Sequence, residues 1–453
     1  MDKILDAKIT AFLEKNKQAM FRDIDRMLRI DSVTGEPAPG APYGQAINEA
    51  LDTILDICAS HGLKTRNVAG SVGEAVYGGG EESLGIVTHV DIVPAGTGWT
   101  KPPHQLTEEG GMLYGRGVVD NKGPGVASLW ALLAALDAGF VPKKRIVLLF
   151  GGDEERGMGC MKRYLQTEKA PDIAFTPDAG FPLIYCEKTI CNGALQASLP
   201  GSGALKDIRG GTRPNVVPNQ AEALLAVKPA GALPRGISVE QTDAGWRVAA
   251  EGCAAHASTP EKGDNAIVKL LGALPGLLPA GDPAAVLTRN LHRLCAASDG
   301  SGFGIACRDE ESGPLTFNLG VIGVEGGEIA ARFDIRHPTD IDPEENILRR
   351  LPEAAAAAGF TALGIQISRG FRIPKEHQLV STLMRIYNDV THGNESPLAI
   401  GGGTYARTLP CAVAYGMLFE GDPESAHMAD ERISVESFMK ATRIFAHAIA
   451  ALG

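Results

Sequence analysis

The acidic pair Glu154 and Glu155 follows a short apolar run at residues 145–150, after two glycines and Asp153. On its own, this pattern is typical of a solvated acidic turn. Carboxylates and histidines also follow other apolar runs of the chain. These further residues are His89, Asp91, Asp120, Asp178 and His427. Imidazole and carboxylate groups are ligands of Zn²⁺ and Mn²⁺, so the residues could together hold divalent cations that activate water.

Charge balance is consistent with two divalent cations. The carboxylates of Asp120, Glu155 and Asp178 supply three negative charges, and a hydroxide bridging the metals would supply the fourth. Metals about 3.5–4 Å apart would lower the pKa of the bridging water towards 7. Neighbouring residues point in different directions, so Glu155 could bind a metal while Glu154 takes the proton from this water.

Each of these residues also has a simpler explanation. Asp120 precedes a predicted helix and could act only as its N-cap. His89 and Asp91 lie two residues apart on an extended segment, so their side chains point to the same side and could form an ordinary surface pair. In a metal site, the same contact would fix the tautomer of His89. The argument for a site therefore depends on whether the fold brings the residues together.

Alternating strands and helices predict an α/β domain with a mainly parallel central sheet and helices on both faces. The predicted strands cover residues 84–89, 145–150, 172–176 and 412–419, and the predicted helices cover much of 1–30, then 123–136, 378–390 and 435–452. Ligands of such sheets bind at the carboxyl ends of the strands. His89 ends a predicted strand, whereas Glu154, Glu155, Asp178 and His427 follow predicted strands. We expect these residues and Asp120 at one edge of the sheet.

The middle of the chain has a different pattern, which predicts an inserted α+β domain. The predicted strands cover 192–199, 221–227, 246–251, 315–324 and 329–336, and the predicted helices cover 264–278 and 343–358. We therefore expect an α/β domain formed by residues 1–187 and 376–453, interrupted by a domain at 188–375.

Composition indicates the general class of the protein. Hydrophobic residues make up 44% and aromatic residues 6% of the chain, as in globular proteins. The net charge of −11 and the dispersed basic residues argue against a nucleic-acid partner. No apolar run approaches the roughly 18–20 residues that span a bilayer, and the N-terminus lacks the apolar core of a signal peptide. Eight cysteines without a CxxC pair indicate reduced thiols, so we expect a cytoplasmic protein.

Seven short motifs together resemble one enzyme family. The segments THVDIVPAG, GRGVVDNKGP, GGDEERG, FTPDAGFP and ESAHMADE resemble the metal-site motifs of the M20 metallopeptidases. FTPDAGFP, GGGTYAR and FDIRHP are similar to the dipeptidase branch of the PepV type. The resemblance covers nearly the whole chain in the same order, and it implies a di-zinc catalytic domain with an inserted lid domain.

The resemblance also implies a role for each residue of the proposed site. It implies that His89 and Asp178 bind one metal, that Glu155 and His427 bind the other, and that Asp120 bridges them. Glu154 would then be the general acid and base, with Asp91 as the partner that orients His89. The family further implies a cis peptide bond between Asp120 and Asn121. Zinc is the expected metal, with manganese or cobalt as alternatives.

Substrate contacts are implied in the same way. In similar enzymes, residues matching Asn215 and His256 contact the scissile carbonyl oxygen or the tetrahedral intermediate. Arg336 resembles the arginine that holds the terminal carboxylate of the substrate, while Gly402 and Thr404 lie in a glycine-rich substrate loop. Without the family pattern, Asn215 could simply turn the chain, His256 could be a surface histidine, and Arg336 could pair with a neighbouring aspartate.

These features predict a metal-dependent dipeptidase that acts on short peptides with a free C-terminal carboxylate, as a monomer or homodimer. The large insert, which carries both His256 and Arg336, favours this function over an N-acyl-amino-acid deacylase with the same metal site. A catalytically inactive metal-binding protein is a further alternative, although it would not require Glu154. A thiol hydrolase built on Cys253 is disfavoured because no other part of a nucleophile site accompanies it.

Overall fold

The computed structural model describes residues 2–201 and 203–453. These residues form two compact units. The first unit contains the chain up to Tyr185, Arg372–Leu398 and Thr404–Gly453, and the second contains Cys186–Phe371 and Ala399–Gly403. The domain ranges 1–187, 188–375 and 376–453 stay a prediction.

The helices of the described residues are α1 (Lys3–Leu28), α2 (Gln45–Ser60), α3 (Lys122–Asp137), α4 (Gly159–Thr167), α5 (Ala266–Leu277), α6 (Pro283–Cys295), α7 (Leu351–Ala357), α8 (Gln378–Thr391) and α9 (Val435–Leu452). Short 3₁₀ helices lie at Pro260–Lys262, Ser301–Phe303 and Tyr405–Thr408, and a π-helix at Glu344–Arg350 leads directly into α7. The helix expected over 343–358 is therefore formed by two different helix types. Helices α2, α4 and α6 were not predicted.

The strands are β1 (Lys64–Val68), β2 (Val72–Tyr77), β3 (Ser83–His89), β4 (Thr107–Glu109), β5 (Met112–Tyr114), β6 (Arg145–Gly151), β7 (Ile173–Thr176), β8 (Ala179–Gly180), β9 (Ile184–Glu187), β10 (Thr189–Ser198), β11 (Leu205–Gly210), β12 (Gln220–Leu225), β13 (Ile237–Thr242), β14 (Gly245–Glu251), β15 (Arg308–Asp309), β16 (Gly313–Pro314), β17 (Thr316–Glu325), β18 (Glu328–His337), β19 (Thr361–Ser368), β20 (Phe371–Arg372), β21 (Leu398–Ile400), β22 (Ala412–Ala414), β23 (Met417–Leu418) and β24 (Arg432–Ser434).

The main sheet of the first unit has a parallel centre and antiparallel edges. Its strand order is β1-β2-β6-β3-β7-β22-β9-β20. Strands β6, β3, β7 and β22 are parallel to one another, whereas β1, β2 and β9 pair antiparallel with their neighbours. All seven residues of β3 are buried, as expected for a central strand with both faces covered. The predicted α/β fold class is confirmed.

Helices cover both faces of this sheet, as predicted. A side chain added at Gly73 of β2 would meet Leu55 of α2 at 3.3 Å. On the next residue of the strand, Glu74 accepts a hydrogen bond from the hydroxyl of Tyr164 in α4 at 2.6 Å. Successive strand residues point to opposite faces, so α2 and α4 lie on opposite sides of the sheet.

One strand of the first unit differs from its prediction. The continuous strand expected over 412–419 is wrong, because the chain forms β22 and β23 with a break between them. Gly416 lies in this break with φ +85, and a side chain at this position would lie 2.5 Å from the ring of Phe181. The chain therefore changes direction at a residue that only glycine suits.

The second unit is built on an eight-stranded sheet. Its order is β13-β14-β12-β11-β17-β18-β10-β19, and every neighbouring pair is antiparallel. The buried apolar residues of α5, α6 and the sheet form one hydrophobic core. The predicted α+β character of the insert is confirmed, and β11, β13 and β19 are strands that the sequence did not indicate. No helix in the described ranges is both long and apolar enough to cross a membrane.

Candidate metal centre

Three parallel strands bring polar residues to one edge of the main sheet. His89 is the last residue of β3, and it lies opposite Gly151, the last residue of β6. Glu154 and Glu155 follow β6 after a short turn, and Asp178 follows β7 in the same direction. The carboxyl ends of parallel strands lie together, so the predicted convergence of these side chains is observed.

Asp120 lies between two histidines. Its Oδ1 is 2.9 Å from Nε2 of His89, and its Oδ2 is 2.9 Å from Nε2 of His427. Nε2 of His427 also lies 3.0 Å from Oε1 of Glu155, and Nε2 of His89 lies 3.7 Å from Oδ2 of Asp178. All five side chains predicted as metal ligands therefore lie within one cluster of the first unit.

The ligand atoms form two groups that share His89. One group contains His89, Glu154 and Asp178, and the other contains His89, Asp120 and Glu155, with the ligand atoms of each group within 4.8 Å of one another. Although Asp120 is close to it, Nε2 of His89 is buried and makes no well-aligned hydrogen bond within the part of the chain that the structure describes. A buried imidazole nitrogen that faces carboxylates in this way fits a divalent cation.

Asp91 contacts both His89 and the turn that carries the two glutamates. Its Oδ1 and Oδ2 accept the backbone N–H groups of Glu154 and Glu155, each at 3.1 Å. Nδ1 of His89 contacts the backbone carbonyl oxygen of Asp91 at 2.9 Å, whereas Oδ1 of Asp91 is 3.4 Å away. The carbonyl oxygen, rather than the expected carboxylate, therefore fixes the tautomer of His89 with its proton on Nδ1, which leaves Nε2 as the ligand atom.

The cluster carries a concentration of negative charge. Burial and then the charge of Asp178 raise the pKa of Glu154 well above its usual range. Burial likewise raises the pKa values of Asp178 and Glu155. Contacts with Asp120 and Glu155 raise the pKa of His427 to about 10. Bound cations would relieve the repulsion between these carboxylates and would replace the protons on the histidines.

Two supporting residues were not predicted from the sequence. Nδ2 of Asn121 donates to Oδ1 of Asp178 at 2.9 Å and to the carbonyl oxygen of Pro177 at 2.8 Å. The peptide bond between Asp120 and Asn121 is cis, as the family resemblance implied. Glu431 is fully buried and contacts the backbone of the loop that carries Asp120. Glu431 lies in the motif ESAHMADE, four residues after His427. This position is the feature of the sequence that could have identified it as part of the site.

The predicted oxyanion residues are neighbours in the second unit. Ala257, next to His256, donates its backbone N–H to the carbonyl oxygen of Asn215 at 3.0 Å. Nδ1 of His256 lies 2.7 Å from Oγ of Ser258. Partial burial and then the charge of Arg336 lower the pKa of His256, so the ring is neutral at pH 7.

Arg336 is buried in an ion pair with Asp334. Pairing with a neighbouring aspartate was the alternative explanation for this residue. Its Nε and Nη2 donate to the two carboxylate oxygens of Asp334 at 2.6 and 3.0 Å. Nη1 donates to the carbonyl oxygen of Gly401 at 2.6 Å, next to the predicted loop residue Gly402. Thr404, which belongs to the first unit, accepts the N–H of Ala406 and caps a 3₁₀ helix.

Comparisons with known proteins cover almost the whole chain. Residues 85–451 match the sequence model of a family described as Peptidase family M20/M25/M40. A putative dipeptidase of Bacillus subtilis (strain 168), YtjP, is 32% identical, with 96% of this chain and 97% of that protein covered. The beta-Ala-Xaa dipeptidase of Lactobacillus delbrueckii subsp. lactis is 29% identical, with 98% of each chain covered.

A solved structure has the same fold. It is that of the di-peptidase Dug1p from Saccharomyces cerevisiae, which matches with a TM-score of 0.62 over 98% of each chain. The sequence identity is 14%, so this likeness concerns the fold alone.

Proposed function

Because the chain belongs to peptidase family M20/M25/M40, we propose that it is a metal-dependent dipeptidase. The family predicted from the motifs is thereby confirmed. The proposed reaction is hydrolysis of the peptide bond of dipeptides and other short peptides that have a free C-terminal carboxylate. Relatives named as dipeptidases align with nearly the full chain, which supports this substrate class.

The observation that carries the proposal is the separation of two adjacent carboxylates. Both oxygens of Asp91 hold the turn through backbone N–H groups, so the side chains of Glu154 and Glu155 are directed to different groups. Glu155 contacts His427 at 3.0 Å, whereas Glu154 is grouped with His89 and Asp178. One glutamate can therefore bind a cation while the other transfers a proton.

We propose that the centre holds two divalent cations, with zinc as the expected metal and manganese or cobalt as alternatives. His89 and Asp178 would hold one cation, Glu155 and His427 the other, and Asp120 would contact both. When bound, the cations supply Lewis acidity, which lowers the pKa of a water molecule and polarises the scissile carbonyl group.

The protein supplies the proton transfer. Glu154 takes a proton from the attacking water and delivers it to the leaving amine, as a general base and then a general acid. Asp91 keeps Glu154 in place through the backbone N–H at 3.1 Å, and its carbonyl oxygen keeps His89 in the correct tautomer. The chemical step therefore depends on a carboxylate that is held through its backbone N–H and whose side chain makes no hydrogen bond with the other described residues.

Residues of the second unit are proposed to bind the substrate. His256 and Asn215 donate hydrogen bonds to the carbonyl oxygen as negative charge develops on it. Arg336 binds the C-terminal carboxylate: three of its five N–H groups are engaged by Asp334 and Gly401, so two stay available among the described residues. Gly402 and Thr404 belong to the proposed substrate loop.

The proposal is tested with purified protein loaded in turn with Zn²⁺, Mn²⁺ or Co²⁺. Hydrolysis is measured for a panel of free dipeptides, their N-acetylated forms and their C-terminal amides. We expect activity on free dipeptides that is lost with a chelator and restored by metal. Activity confined to the acetylated forms would identify an N-acyl-amino-acid deacylase instead, and inactivity with every metal would indicate a metal-binding protein without enzymatic function.

We also propose a cytoplasmic location and a monomeric or homodimeric state. All eight cysteines are free thiols, which is typical of proteins in reducing compartments. Cell fractionation and light scattering test the two statements. Recovery of the native protein in a secreted fraction would contradict the first, and a larger oligomer would contradict the second.

A further inference from the structure

A close contact in the second unit joins the segment of His256 to that of Arg336. A side-chain carbon added at Gly401 would lie 2.5 Å from Cβ of Ser258, which is much closer than carbon atoms approach in proteins. Cβ is fixed to the backbone, so Ser258 could not rotate away from it. Any side chain at position 401 would therefore displace one of the two backbone segments.

Ser258 is attached to His256 through two hydrogen bonds. Its backbone N–H lies 3.2 Å from Nδ1 of His256, and its Oγ lies 2.7 Å from the same atom. A backbone N–H can only donate, so Nδ1 is the acceptor and the neutral ring carries its proton on Nε2. Nε2 is therefore the atom of His256 that can donate a hydrogen bond to a substrate.

Gly401 is attached to Arg336 on the other side of the contact. Its carbonyl oxygen accepts a hydrogen bond from Nη1 at 2.6 Å, while Asp334 holds Nε and Nη2. Arg336 and Asp334 are 4% and 1% exposed, so this guanidinium is held in one orientation. A displacement of Gly401 would remove the third of these contacts.

We propose that Ser258 and Gly401 are a pair of positioning residues that sets the distance between Nε2 of His256 and the guanidinium of Arg336, and thereby selects dipeptides over longer peptides. The inference rests on the proposed function, in which these groups bind the scissile carbonyl and the C-terminal carboxylate. In a dipeptide, one residue separates the scissile carbonyl from the C-terminal carboxylate. Each further residue lengthens this separation by about 3.3–3.6 Å. A fixed distance therefore favours one substrate length.

The test is a double-mutant cycle of Gly401→Ala, Ser258→Gly and the double variant. Gly323→Ala is the matched control, because a side chain at Gly323 of the same unit meets nothing within 4 Å. We expect Gly401→Ala to lower kcat/KM for a dipeptide about 100-fold, as a displacement of about 1 Å does, and to reduce the preference over a tripeptide. Removing Cβ of Ser258 makes room, so the loss of kcat/KM caused by Gly401→Ala should be at least about tenfold smaller in the Ser258→Gly background than in the wild type.

A measurement independent of activity separates this inference from the proposed function. The ¹⁵N chemical shifts of the His256 ring should change in Gly401→Ala and stay unchanged in the Gly323→Ala control. Ser258→Gly removes the contact of Oγ with Nδ1 of His256, so the double variant should have the same shifts as Ser258→Gly alone. Additive losses in the double variant, or unchanged His256 shifts in Gly401→Ala, would overturn the positioning pair. Wild-type protein without peptidase activity would overturn the proposed function, while the shifts would still decide whether the pair holds His256.

Discussion

Oε1 of Glu431 accepts the backbone N–H of Asp120 at 3.1 Å. The same oxygen accepts the N–H groups of Gly117 and Val119 at 3.1 and 2.9 Å, and Oε2 pairs with Arg116 at 2.5 Å. Glu431 has no exposed surface, so these contacts compensate its charge in place of water. One carboxylate thus fixes the path of the loop that presents Asp120 to both histidines.

The variant Glu431→Gln should weaken metal binding about 10- to 100-fold, as changes to groups that orient metal ligands do. The amide would place two hydrogens where the carboxylate now accepts from Arg116, and the loop of Asp120 would have to shift. Metal affinity is measured by competition with a chromophoric chelator. The control is Glu424→Gln, an exposed residue before His427. A lower unfolding temperature with unchanged metal affinity would contradict a role in orienting Asp120.

The two adjacent glutamates should give opposite phenotypes. Glu154→Ala should retain both metals and lose at least 10²–10⁴-fold in kcat, because the proton-transfer group is removed. Glu155→Ala should lose metal, because its carboxylate lies with Asp120, His89 and His427. Metal content by mass spectrometry is measured beside kcat for each variant. Glu154 also lies within ligand distance of His89 and Asp178. If Glu154→Ala loses metal and Glu155→Ala keeps it, then Glu154 is the metal ligand and Glu155 is the proton-transfer group.

The convergence of His89, Glu155 and Asp178 could be predicted because each ends or follows an apolar strand, and parallel strands of one sheet end at the same edge. The residues that support them could not be found in this way. Glu431 and Asn121 act on backbone groups of a loop, and no periodicity indicates the path of a loop. Family motifs contained both residues, but a motif does not state which member binds a metal and which holds the backbone.

The end of one strand could not be predicted from the sequence for a related physical reason. The apolar stretch at 412–419 has the composition of one strand, yet Gly416 adopts a positive φ beside Phe181 and ends β22 early. The pattern of neighbouring residues does not indicate a contact with the ring of Phe181, which is more than 200 residues away in the sequence. The contact between Ser258 and Gly401 is equally invisible in the sequence, because it depends on the close approach of two distant segments.

Arg336→Lys should selectively weaken the binding of substrates with a free C-terminal carboxylate. Lysine keeps a positive charge beside Asp334 but cannot offer a planar pair of donors to a second carboxylate. We expect kcat/KM for free dipeptides to fall about 10- to 100-fold, mainly through KM, with little change for dipeptide amides. Arg332→Lys, an exposed position of the same strand, is the control. An equal loss on both substrate types would contradict a role in carboxylate binding.

Glu74 should contribute stability that depends on pH. It accepts hydrogen bonds from Nε and Nη2 of Arg66 at 2.6 and 3.0 Å and from the hydroxyl of Tyr164 at 2.6 Å. Burial alone would raise its pKa, but these contacts outweigh burial and hold the pKa of Glu74 below its usual range. The folded pKa is thus lower than the unfolded value of about 4.3, so the contribution is complete above that pH and is lost as pH falls through the folded pKa.

The variant Glu74→Gln should therefore lower the free energy of unfolding by about 1.5–3 kcal/mol at pH 7, because hydrogen bonds to a charged group are lost. The difference from wild type should persist down to about pH 5 and shrink below about pH 4, where the wild-type carboxylate is also protonated. Urea unfolding of the metal-free protein between pH 7 and pH 3.5 measures it, with exposed Glu81→Gln as the control. A difference that stays constant across this range would mean that the charge of Glu74 does not stabilise the fold.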